Sequence, residues 1–155
     1  MIVLLDTGVL GTLCNPNFSQ EVYDCQSWLE QLLARGAYVT TSEICNYEVR
    51  RGLILARKMG RESSGISKLN ALRKVIDFLP VTTNIIQEAA EFWAEARYQS
   101  QPTSEDKNID VDMIISAQWR LLMREFPGRY IVVATTNLKH LQIFTQAENW
   151  RNIRY

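Results

Sequence analysis

Met1-Ile2-Val3-Leu4-Leu5-Asp6-Thr7-Gly8-Val9-Leu10 opens the chain, and its reading decides the fold. Ile2 to Leu5 run apolar without alternation, and only then comes a carboxylate. A continuous apolar strand is covered on both faces, the habit of parallel strands lying under helices. The pattern predicts a strand over Ile2–Leu5, with Asp6 at its C-terminal edge and Thr7 and Gly8 as turn formers. In open α/β sheets ligands collect just outside the carboxyl ends of the strands. Asp6 therefore stands where such a fold does its chemistry. The competing reading is a turn aspartate that caps the next segment.

Working outward, strand and helix patterns alternate. A breaker-rich loop covers Cys14 to Asn17, and Ser19 caps a helix with Val22, Cys25, Leu29 and Leu32 inward, ending near Gly36. Ala37 to Thr40 is a short strand, and Thr41 or Ser42 caps the helix TSEICNYEVRRGL. Gly60 to Gly65 is the turn of a helical hairpin whose second arm carries Ile66, Leu69 and Leu72. Phe78 to Val81, with Pro80 inside, is a short third strand. A helix opens at Thr83 or Asn84, a polar loop spans Gln101 to Lys107, and another helix begins around Asp110 and Asp112. Tyr130 to Ala134 is a second buried strand, and Leu141 to Phe144 a last short one. This order predicts a parallel α/β sandwich and a single domain over residues 1–155.

Composition narrows the function classes. Seventeen Lys and Arg balance seventeen Asp and Glu, so no global charge announces a polyanion partner. Locally the chain is segregated: Arg50, Arg51, Arg57, Lys58, Arg61, Lys68, Arg73 and Lys74 face only Glu62. Cys14, Cys25 and Cys45 form no CxxC pair and have no histidine nearby, which speaks for buried free thiols in a reducing cytosol. The N-terminus lacks the basic region of a signal peptide, and no apolar run approaches the ~18 residues of a membrane span.

Acidic and polar groups fall where one crevice would gather them. Asp6 follows the first strand, Asn137 the late strand, and Asp112 starts a helix. Glu48 lies on the helical stripe of Ile44, Tyr47, Arg51 and Leu55, facing inward. An inward carboxylate needs a cation, a metal or several donors; a salt bridge to a nearby arginine is the plain reading, a metal or catalytic role the other. His140 is the only histidine, which disfavours a His-based triad, and there is no Gly-rich phosphate loop. Carboxylates without a base suit an oxygen-ligand site for Mg²⁺ or Mn²⁺, which activates water and neutralises charge on a phosphate.

Four segments in order resemble PIN-domain proteins, and among them the toxin ribonucleases of VapBC-type toxin–antitoxin pairs. MIVLLDT resembles the strand carrying the first acid, here Asp6, and TSEICNYEVRRGL the helix carrying the second, here Glu48. IDVDMIISAQ resembles the helix start with the third acid, here Asp112, and IVVATTNLKHL the segment matched by Thr135, Asn137 and His140. The resemblance implies a three-layer α/β/α sandwich with a central parallel sheet. It implies metal-dependent hydrolysis of RNA phosphodiesters to 5′-phosphate and 3′-hydroxyl ends. Asp6, Glu48 and Asp112 would hold the metal, with Asn137 and Thr135 orienting ligands or water. It also implies a cognate antitoxin and a homodimer.

Many relatives carry a fourth acid where this chain has Asn137, so one-metal and two-metal chemistry both stay open. Asp110 is read as a supporting or capping residue. Arg50, Arg51, Arg57 and Lys58 are candidates for RNA contact, or for neutralising Glu43 and Glu48. Trp28, Trp93 and Trp119 are read as core or dimer-interface residues. Two other classes compete. One is a PIN-like module that binds RNA or protein without cutting. The other is a phospho-aspartate enzyme, for which Lys139 is the single candidate lysine.

Overall fold

A computed structural model describes residues 1–61, 64–99 and 109–155. Five strands form one sheet in the order β3-β2-β1-β4-β5, and every pairing is parallel. They are β1 (Ile2–Leu5), β2 (Tyr38–Ser42), β3 (Asp77–Leu79), β4 (Ile131–Thr135) and β5 (Ala147–Asn149). The helices are α1 (Thr7–Cys14), α2 (Gln20–Ala34), α3 (Glu43–Lys58), α4 (Ser64–Leu72), α5 (Thr83–Gln99), α6 (Ile109–Glu125) and α7 (Leu138–Phe144). The polar loop expected over 101–107 lies outside the described residues.

The apolar opening behaves as its pattern requires. Ile2, Val3, Leu4 and Leu5 are all buried, because the sheet is covered on both faces. Val3 and Leu5 join Val132 and Ala134 in a core shared with Val9, Trp28, Leu29 and Leu32. Ile2 and Leu4 point the other way, with Val133, into a core shared with Cys45, Val49, Leu69, Ile115, Leu122 and Leu141. The period of two along β1 thus divides the molecule into helical layers on either side of the sheet. A third cluster, around Ile85, Ala89, Phe92, Met113 and Ala117, seals α5 against α6.

The strand order fixes where a crevice opens. From β1 the chain moves to β2 and β3 on one side; β4, on β1's other flank, leads outward to β5. The connections diverge between β1 and β4, and a topological switch point of this kind leaves a cleft beyond the strands' carboxyl ends. The residues placed there are Asp6, directly after β1, and Thr135 to Asn137, at the end of β4.

Some elements differ from expectation. Thr7 and Gly8 do not make a turn but begin α1, a helix with Asp6 as its N-cap. Leu141 to Phe144 is not a strand but the last part of α7, which Asn137 caps; the edge strand is β5, further on. The inward side of α3 is carried by Cys45 and Val49 rather than by Tyr47 and Leu55, which are exposed. Trp28 is buried in the core and Trp119 donates its indole N–H to the Ile131 carbonyl at 3.0 Å, while Trp93 is exposed. Among the described residues no helix is long and apolar enough to cross a membrane.

Candidate active site

Asp6 is placed by two neighbours in three dimensions. Its Oδ1 accepts the backbone N–H of Thr7, the first residue of α1, at 2.5 Å, and its Oδ2 accepts the Thr135 hydroxyl at 2.7 Å. Asp6 therefore caps α1, the plainer of its two readings, and is also buried at the crevice. Burial pushes its carboxyl pKa up; the hydrogen bonds from Thr135 and Thr7 pull it back, and the nearby Glu48 charge pushes it up further.

Glu48 reaches the same place from α3. Its Oε2 accepts the Thr7 hydroxyl at 2.8 Å, and its Oε1 meets Arg51 Nη2 at 3.1 Å. The side chain keeps only 13% of its surface exposed, so the inward orientation read from the sequence is met, and Arg51 supplies the expected salt bridge. Thr7 joins the two acids, through its N–H to Asp6 and its hydroxyl to Glu48. Sequence reasoning took Thr7 only as a turn former. The usable signal was a hydroxyl residue directly after a strand-end acid, at the first position of a helix.

Thr135 organises the other wall. While donating to Asp6, its hydroxyl oxygen accepts the Asn137 backbone N–H at 2.9 Å. Asn137 turns its Oδ1 to the Lys139 N–H at 3.3 Å, capping α7, and its side chain is exposed. Cys45 lies beneath the site, wholly buried; burial first, and then the Asp6 charge, push its thiol up to about 12, so it stays protonated.

Asp112 lies in the first turn of α6, with Asp110 exposed beside it. Phe126, just past the end of α6, packs against Tyr38 at a ring distance of 6.0 Å, at the amino ends of the strands. Trp119 bonds to Ile131, the first residue of β4. Seven residues of helix, about 10 Å, run back from Trp119 to Asp112, toward the carboxyl end of the sheet.

The basic run is divided by the fold. Arg50 is tied to Asn46 and Asn70, Arg73 grips both oxygens of Glu43, and Lys68 donates to the Asn15 carbonyl. Arg51 stays at the acids. Arg57 and Lys58 sit exposed in the last turn of α3, favourable for its dipole and roughly 14 Å along the helix from Glu48.

The donor set is oxygen-only, which suits a hard divalent cation. A buried aspartate whose proton affinity is raised, with a second acid adjacent, is the electrostatic state a cation relieves. Among the described residues no three acidic, cysteine or histidine groups stand together at ligand spacing. Asp6 and Glu48 are brought together; among the described residues Asp112 does not join them in a group at ligand spacing.

No family model matches the chain, and no curated protein matches it in sequence. Solved structures do. The chain is similar to one in the complex VapBC2 from Rickettsia felis bound to a DNA fragment from their promoter, at 18% identity and TM-score 0.66, covering 97% of this chain and 99% of that one. It is similar to a chain of VapBC-1 from nontypeable Haemophilus influenzae, at 18% identity and TM-score 0.65, covering 98% and 100%. It is likewise similar to a chain of FitAcB from Neisseria gonorrhoeae, at 20% identity and TM-score 0.64, covering 97% and 99%. These likenesses establish the fold: a central parallel sheet between helices, the PIN-like arrangement that the motifs led one to expect.

Proposed function

We propose that this protein is a Mg²⁺- or Mn²⁺-dependent endoribonuclease, the toxin component of a VapBC-type pair. The observation that carries the reading is the bridge of Thr7 between Asp6 and Glu48, which holds two carboxylates at the switch point of the sheet. Full-length likeness to chains of VapBC complexes supports an antitoxin partner. Three free, buried cysteines accord with a cytoplasmic setting. The RNA substrate and a homodimer follow from the family resemblance.

In this reading Asp6, Glu48 and Asp112 hold the cation, directly or through water. A cation held there would neutralise charge at the scissile phosphate and would lower the pKa of an attacking water. Thr7 fixes Glu48 relative to Asp6, and Thr135 fixes the Asp6 carboxylate from the opposite wall. Asn137 presents its amide at the exposed mouth of the crevice, where it would orient substrate or water. Asp110 adds negative charge at the start of α6.

The test is cleavage of single-stranded RNA with Mg²⁺ by purified wild type and by Asp6→Asn and Asp112→Asn. Loss of cleavage in both, with unchanged circular dichroism, is expected; full activity in either variant would overturn the reading. The Arg51–Glu48 pair favours one competitor, a PIN-like module that binds without cutting. Calorimetry showing no heat with Mg²⁺ or Mn²⁺ would select that alternative.

A further inference from the structure

We infer that Arg51 is an exchangeable counter-ion: it neutralises Glu48 while no cation is bound, and it turns to an RNA phosphate when a divalent cation takes Glu48. The inference rests on the cation-site reading above and assigns a positioning role within it. Both oxygens of Glu48 are engaged, Oε2 by the Thr7 hydroxyl and Oε1 by Arg51 at 3.1 Å. The two partners are not equivalent toward a cation. The hydroxyl is neutral and its bond to Glu48 does not oppose positive charge. The guanidinium carries a full charge within a few ångströms of the same carboxylate and must compete.

Arg51 is also built to leave. Its side chain is 57% exposed and its Cζ lies 5.2 Å from the centroid of the Tyr47 ring, itself exposed. The pair is exposed on the arginine side, where an ion pair contributes little, and the cation that takes Glu48 replaces the charge Arg51 gives up there. Resting on the Tyr47 face, the planar guanidinium keeps its stacking partner when it slides off Glu48. Its donors then face outward at the rim, in the fork that matches a phosphate. The neighbouring cations lack this freedom. Arg50 is held by two asparagine side chains and Arg73 by Glu43.

Two measurements test the exchange, neither of them turnover. Calorimetric titration with Mn²⁺ compares wild type, Asp6→Asn, Arg51→Gln and Arg51→Lys, each checked for folding by circular dichroism. Removing the competing charge should tighten Mn²⁺ binding roughly three- to tenfold in Arg51→Gln, the effect of one charge at such range, while Arg51→Lys stays near wild type. Fluorescence anisotropy then follows a labelled single-stranded oligoribonucleotide in EDTA and in Ca²⁺. Arg51→Gln should match wild type in EDTA and bind at least about threefold more weakly in Ca²⁺, because the guanidinium reaches phosphate only after a cation frees it.

Equal Mn²⁺ affinity in wild type and Arg51→Gln would overturn the inference, as would an RNA-binding loss of the same size in EDTA and Ca²⁺. Mn²⁺ binding that disappears in Asp6→Asn but is unmoved in Arg51→Gln would leave the function standing and remove only this inference. Absence of Mn²⁺ binding in wild type would remove both.

Discussion

Thr7 donates its hydroxyl to Glu48 Oε2 at 2.8 Å, joining residues 41 apart in sequence. The same residue's N–H is bonded to Asp6. One threonine therefore sets the distance between two acids that repel each other. Thr7→Val keeps the shape and removes the hydroxyl. Groups that orient metal-site carboxylates typically cost 10–100-fold when lost; a fall of about that size in kcat/KM and in Mn²⁺ affinity is expected, with Thr7→Ser near wild type. Thr135→Val should act likewise on the other wall, through the lost bond to Asp6 Oδ2.

Asp6 makes stability depend on pH in a direction opposite to most carboxylates. Its folded pKa is raised above the ordinary value of 3.8, chiefly by burial. The folded state then binds its proton more tightly than the unfolded state does. The stabilisation from that proton is present below about 3.8 and is lost as pH rises through the folded pKa. Asp6→Asn carries no such charge and caps a helix equally well. It should melt higher than wild type at neutral pH, by about 2–4 °C per kcal/mol at this length, and the gain should vanish below about pH 3.8. Mg²⁺ should raise the wild-type melting temperature and leave that of Asp6→Asn unmoved. Thermal melts across pH, with and without Mg²⁺, check both.

Gly8 and Gly65 mark close approaches of different kinds. A Cβ at Gly8 would lie 2.4 Å from Thr136 Oγ1, a side-chain atom at an exposed position. A Cβ at Gly65 would lie 2.5 Å from Leu53 Cδ2 and 2.8 Å from the Cys14 carbonyl oxygen, which is backbone. Gly8→Ala alone should destabilise, and adding Thr136→Ala should restore or exceed wild-type stability, because alanine is the better helix former by ~1 kcal/mol. Gly65→Ala should cost about 1–3 kcal/mol, and Leu53→Ala should not rescue it, since the carbonyl remains. Urea denaturation of the single and double variants reads the difference.

Asn137 caps α7 through its Oδ1 and follows the carboxyl end of β4 with an exposed side chain. Asn137→Ala should lose about 0.5–2 kcal/mol of stability along with any cleavage that depends on the amide. Asn137→Asp should keep the cap, and so the stability, while the added negative charge tightens Mn²⁺ binding. A melt and a titration on the same samples separate folding from chemistry.

How much of this was legible depended on whether the cause was local. Ile2–Leu5 could be read because burial on both faces leaves a run with no alternation, and Ser19 and Ser42 because a cap acts within three residues. Asp6 and Glu48 could be paired because each broke an apolar pattern. The α1 helix was hidden because Gly8 and Gly11 are poor helix formers and its apolar residues face both cores. Leu141 to Phe144 passed for a strand because four residues cannot distinguish the two periods, although Asn137 announced the helix. Ala147–Asn149 has no apolar pattern, and its strand exists only because β4 offers an edge. The engagement of Arg50 with Asn70 and of Arg73 with Glu43 depends on how α3 and α4 pack, which spacing does not encode.

Asp6 begins a helix as well as facing the crevice, and so folding alone keeps a capping side chain at that position. A relative of this chain without the proposed activity would still need an Asp, Asn, Ser or Thr at that point to start α1. Glu48 is under no such constraint, since its hydrogen-bond and ion-pair partners are the side chains of Thr7 and Arg51. In a lineage of such proteins the cap at this position would outlive the proposed chemistry, charged or neutral, and the disappearance of Glu48 would be the clearer sign that it had been lost.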